Sequence, residues 1–113
     1  MDGKSTLYLN VSANKNVSIV QPRVEVYLDA DLIATVKGGE NLKGSIVLGN
    51  GTHQLNLVHV NYIVGTLRKD YEHHIWFDLS RDNSHLEFKV KDHDVSRKLE
   101  VYSYSNTDVQ ICE

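Results

Sequence analysis

Six histidines, His53, His59, His73, His74, His85 and His93, are the residues of this chain best suited to hold a metal. A structural zinc needs four converging ligands, and a catalytic one three plus an open position. Successive strand residues point to opposite faces, so the adjacent pair His73-His74 cannot chelate one ion from a regular strand. A cross-strand site drawing on His74, His85 or Asp78 is the arrangement left open to metal, and with it a histidine-based metal hydrolase. The expectation is solvated strand and loop histidines with no metal and no cofactor, His53 being a strand residue at the neck of a hairpin.

Nucleophilic chemistry has no visible seat. No serine stands in a Gly-x-Ser-x-Gly elbow, and the single cysteine, Cys112, lies one residue from the end, where chains fray. It also leaves no intrachain disulfide and no Cys-x-x-Cys site. Asp70 with Glu72, and Asp92 with Asp94, are spaced to lie side by side on a strand face. General acid work needs one of such a pair buried with a raised pKa, whereas both pairs adjoin turns. Gly38-Gly39 is followed by neither the lysine nor the helix of a phosphate loop, and reads as a connection between strands. No catalytic residue is expected, and the chain is not read as an enzyme.

Aromatic side chains are the stronger lead. Strand alternation places Trp76 on a polar face beside His74 and Asp78, and turns Tyr102 and Tyr104 outward from another strand. An exposed indole stacks on the apolar face of a sugar or anchors a protein interface, with neighbouring polar groups supplying orientation. Trp76, His74, Asp78, Tyr102 and Tyr104 are therefore the candidate ligand-binding residues, for a protein or a carbohydrate. Formal glycan acceptors at Asn10, Asn16 and Asn50 matter only in a eukaryotic secretory pathway.

The elements that must position these residues are strands. No stretch of a dozen residues carries apolar positions at helical spacing. Alternating runs recur instead: "TLYLNV", "VEVYLD", "LIATV", "SIVL", "HQLNLVHV", "YIVGTL", "HHIWFDLS", "HLEFKV" and "KLEVYSY". Turn residues separate them at Asp29-Ala30-Asp31, Gly38-Gly39, Asn50-Gly51, Arg81-Asp82-Asn83 and Lys91-Asp92-His93-Asp94. Short strands at intervals of about 8 to 12 residues imply an antiparallel sandwich or barrel. With 113 residues, 41% of them hydrophobic, one domain spanning residues 1–113 has enough chain for its own core. A net charge of −3, with no basic run, argues against nucleic acid. No apolar stretch reaches the roughly 20 residues that span a bilayer, so no membrane insertion is expected.

Two hairpins follow from turn chemistry. Asn50-Gly51 predicts a type I′ turn with Leu48 facing His53 and Ile46 facing Leu55. A turn at Asp82-Asn83 predicts Leu79 opposite Leu86, Phe77 opposite Phe88 and Ile75 opposite Val90, with Trp76 across from Lys89 on the other face. The terminal runs "TLYLNV" and "KLEVYSY" are expected as sheet edges capable of weak homo-oligomer formation.

Val26-Tyr27-Leu28-Asp29, then Leu32-Ile33-Ala34-Thr35, then Leu48, Gly51, His53 and Leu55 resemble the strand-turn, L/I-G-T and L-x-x-G-x-H-x-L segments of PEGA-type domains. The similarity covers residues 23 to 60 and extends more loosely to Val90. Ala30 and Ala34 stand where that family commonly has glycine. The resemblance implies an Ig-like β-sandwich that is non-catalytic and belongs to a bacterial cell-surface or envelope protein, placing it at the cell surface or outside the cell. The reading is thus a single antiparallel Ig-like β-sandwich of about 7–9 short strands, serving as an interaction or spacer module. A carbohydrate-binding or adhesin-type domain is the alternative.

Overall fold

The chain alternates between two layers. The computed structural model describes residues 4–13, 22–64, 67–79, 85–92, 99–104 and 109–112. They form nine strands: β1 (Lys4–Ser12), β2 (Arg23–Leu28), β3 (Asp31–Lys37), β4 (Asn41–Gly49), β5 (Gly51–Val64), β6 (Leu67–Leu79), β7 (His85–Asp92), β8 (Leu99–Ser103) and β9 (Val109–Cys112). One sheet has the order β4-β1-β7-β8 and the other β3-β2-β5-β6-β9. All neighbouring strands are antiparallel except β1 and β7, which are parallel. The protein is an all-β sandwich, as the alternating runs predict.

Period-two patterning builds the core. Leu7, Leu9 and Val11 of β1 and Leu86, Phe88 and Val90 of β7 are buried, and so are Leu55 and Leu57 of β5 and Ile75, Phe77 and Leu79 of β6. They form one cluster that both sheets share. Phe77 and Phe88 meet inside it, their ring centroids 6.0 Å apart and tilted by 42°.

Pairing differs from expectation at two places. β4 pairs with β1 while β5 pairs with β2 and β6, so Asn50-Gly51 joins the two sheets at a corner and is not the tip of a hairpin. Gly51 has φ 129°, but Asn50 does not take the positive φ that a type I′ turn requires there. Likewise β6 and β7 lie in different sheets, so Phe77 and Phe88 touch across the core and not across a hairpin. Asp82-Asn83 itself lies outside the described residues. Trp76 faces Gln54 and Gln110, and Lys89 faces Asn10 and Tyr102. The expected edge run "TLYLNV" is central, with β1 between β4 and β7; of the two predicted edges only "KLEVYSY", in β8, ends a sheet.

A tight hairpin turn joins β2 and β3. Asp29 and Ala30 have φ values of 49° and 73°, consecutive left-handed residues as in a type I′ turn. Val26 pairs with Ala34 and Tyr27 with Leu32, so Ile33 is the extra residue of a β-bulge just beyond it. Asparagine and aspartate tolerate the left-handed region, but alanine is strained there by about 1–2 kcal/mol. Ala30→Gly relieves that strain and gives back about 0.4–1 kcal/mol through the freer unfolded chain. The expected net is a stabilisation of about 0.5–1 kcal/mol, visible as a higher urea midpoint at unchanged slope. A lower midpoint would mean that Ala30 is not held left-handed in solution.

Candidate functional site

Trp76 lies on the outer face of the five-stranded sheet, on β6, and is 37% exposed. The register sets Gln54 of β5 on one side of it and Gln110 of β9 on the other. His74, two positions back on the same face, stacks on the indole with ring centroids 5.8 Å apart and planes at 18°. Neighbours hold that imidazole: its Nδ1 lies 2.8 Å from Asn56 Oδ1 and its Nε2 3.5 Å from a Glu72 oxygen. Gln54 Nε2 also lies 3.5 Å from His74 Nδ1. The Asn56 contact is much the shorter, so Nδ1 carries the proton and donates to Asn56.

Two shallow depressions flank this pair. One, of about 250 Å³, is bordered by Trp76, Thr52, Asp78 and Gln110. The other, of about 350 Å³, lies beyond His74 against Tyr27, Asn56 and Glu72. Glu25 borders it too, steadied by Arg23 Nε and by the Tyr27 hydroxyl, each 3.3 Å away. An aromatic ring ringed by amides, a hydroxyl and carboxylates can stack on an apolar ligand face while fixing its hydroxyl groups.

Three of the expected site residues, Trp76, His74 and Asp78, are therefore together. Tyr102 and Tyr104 are exposed as expected, but Tyr102 lies on β8 of the four-stranded sheet and Tyr104 follows the end of that strand, its N–H bonded to the Glu87 carbonyl at 2.8 Å, so neither is on the sheet that carries Trp76. Tyr102 donates to Glu100 Oε2 at 3.1 Å, and that carboxylate raises the phenol's pKa above 10.0. Tyr8, on β1 with β7 between it and β8, is also exposed, and sequence reasoning missed it. The signal was there: alternation in "TLYLNV" puts Tyr8 and Asn10 on the face opposite Leu7, Leu9 and Val11.

The histidines divide. His73 and His74 point to opposite faces, as a strand requires, but His59 and His73 are buried on the inner side, not solvated. His59 packs 6.5 Å from the Tyr71 ring. The His85 side chain and all of His93, Asp92's side chain and Asp94 lie outside what is described. Among the described residues, no three of His, Cys, Asp and Glu come together where a metal ion could sit. Cys112, near the end of the chain, pairs within β9 against His74 of β6.

His53 does more than occupy a strand. Its Nδ1 lies 2.7 Å from Asp29 Oδ2 and its Nε2 2.8 Å from the Gly49 carbonyl, while Asp29 Oδ1 accepts the Gln54 N–H at 2.9 Å. The ring ties the β2–β3 turn to the β4–β5 corner and stacks on Phe77 at 5.7 Å. Both ring nitrogens face acceptors, so both bonds form only when the ring carries two protons. Burial acts to lower the His53 pKa, but the Asp29 and Gly49 hydrogen bonds and the charges of Asp29 and Asp78 outweigh it and raise it above 6.5. Burial likewise acts to raise Asp29, but the His53 and Gln54 hydrogen bonds and the His53 charge hold it below 3.8.

Comparisons of the chain with protein-family models, with curated proteins and with solved structures find no match.

Proposed function

We propose that this sandwich is a non-catalytic interaction module whose five-stranded face binds carbohydrate through Trp76. The observation that carries the reading is the exposed indole set between Gln54 and Gln110 and stacked on His74. The amides orient hydroxyl groups without moving protons, and His74 Nδ1 is engaged by Asn56. This supports binding over proton transfer. The Asp29-Ala30 turn, which the PEGA-type resemblance includes, supports an Ig-like unit of a bacterial surface or envelope protein, where such a module would present its face to glycans.

The test is a glycan-array screen followed by calorimetry on the best neutral oligosaccharide, with Trp76→Ala beside the parent chain. Losing a stacked indole is expected to weaken binding by about tenfold or more while the melting temperature changes little. A chain that binds no glycan at millimolar concentration, or a Trp76→Ala variant with full affinity, would return the module to the role of a spacer.

A further inference from the structure

The four-stranded sheet carries a second surface, independent of the Trp76 face and of different charge. Lys43 of β4, Asn10 of β1 and Lys89 of β7 stand directly opposite one another across its outer side. The next row is Ser45, Tyr8 and Glu87 on the same three strands. Strands lie about 4.8 Å apart, so the two lysines start about 10 Å from each other with the amide midway. A depression of about 440 Å³ opens over Tyr8, Asn10, Lys43, Ser45 and Glu87.

Three observations give this surface a chemistry. Neither Lys43 nor Lys89 has an ion-pair partner among the described residues, although the whole chain is acidic at −3. Asn10 Oδ1 is buried and has no hydrogen-bond partner there, and a buried acceptor is costly to leave unmet. Tyr8 is 42% exposed and offers a ring beside both. The surface therefore asks for an anion between the lysines, a hydroxyl donor for Asn10 and an apolar face for Tyr8. A uronic acid combines all three on one pyranose ring. Glu87 sits one row away from the lysines, where its charge keeps a ligand carboxylate on the Lys43–Lys89 row.

We propose that the outer face of the four-stranded sheet binds an acidic, uronate-containing polysaccharide, with Lys43 and Lys89 flanking the carboxylate, Asn10 accepting a hydroxyl and Tyr8 stacking on the ring.

Calorimetric titration with hexagalacturonate tests this, with a neutral galactose hexamer as the comparison. Saturable binding to the acidic oligomer is expected, at least about tenfold tighter than to the neutral one, and weaker as salt is raised from about 50 to 300 mM. Lys43→Gln and Lys89→Gln should each weaken it about threefold to fivefold, and Tyr8→Ala about tenfold. Lys37→Gln on β3 and Trp76→Ala on the opposite face should leave it unchanged, so failure here is distinguishable from failure of the Trp76 reading. Thermal melts of each variant separate lost contacts from lost fold. Three results would overturn the proposal: no saturation at millimolar oligomer, equal affinity for the neutral hexamer, or equally tight binding of oligo-dT or phosphatidylglycerol vesicles that depends on the same lysines.

Discussion

Phe88→Ala lowers the free energy of unfolding by about 3–5 kcal/mol, a large part of the roughly 5–15 kcal/mol that keeps a typical domain folded. Phe88 is fully buried, and its ring meets Phe77 at 6.0 Å where the two sheets face each other. Removing the ring takes away its transfer free energy and leaves a cavity that two hydrogen-bonded sheets cannot collapse to fill. Phe77→Ala, from the opposite sheet, costs a similar amount. The pair is coupled, so the double variant falls short of the sum of the singles by about 0.5–1.5 kcal/mol. Urea unfolding of the four proteins measures the cycle. Additive losses would mean that the rings do not touch, and hence that β6 and β7 are not stacked face to face.

That contact also marks what the sequence could and could not specify. Alternation assigned the inner face correctly along β6 and β7, and Phe77 and Phe88 were expected to be neighbours. A hairpin and a sheet-to-sheet corner, however, bring the same apolar sets together, one side by side and the other face to face. Period-two patterning does not distinguish them. Asn50-Gly51 shows the same degeneracy: Ile46 and Leu55 point to a common core in either arrangement, and glycine's positive φ serves a corner as well as a turn. The choice rests on long-range pairing, β4 with β1 and β5 with β2, which no local window contains. Of the run "YIVGTL", the described residues fall in two strands, Tyr62, Ile63 and Val64 ending β5 and Leu67 opening β6, and β9, "VQIC", is too short and mixed to announce itself. Trp76, His74 and Asp78 were legible because one strand carries all three; Tyr8 joins Tyr102 only through the parallel pairing of β1 with β7.

His53, expected as a solvated strand residue at a hairpin neck, instead bonds to Asp29 and the Gly49 carbonyl. At pH 5.5, His53→Gln is expected to lose about 2 kcal/mol, the lower part of the range for hydrogen bonds to charged groups, because Asp29 is 45% exposed and partly screened. The loss depends on pH in a way that a packing defect would not. His53 has its pKa raised on folding, so its contribution is complete below 6.5, the ordinary value, and disappears as pH rises through the higher folded one. Asp29 has its pKa lowered, so its contribution is present above 3.8 and disappears as pH falls through the lower folded value. The pair therefore contributes fully between about 4 and 6.5. Above that window His53 keeps one ring proton, donates to only one of its two acceptors, and turns a lone pair toward the other. All other ionisable groups are common to both proteins, so whatever they contribute cancels in the difference. Urea midpoints of parent and variant, taken from pH 4.5 to 9 in steps of about half a unit, should converge by about 1 kcal/mol on the alkaline side. A difference that is flat across that range would mean that His53 stabilises the corner by stacking on Phe77 alone, with no charged bond to Asp29.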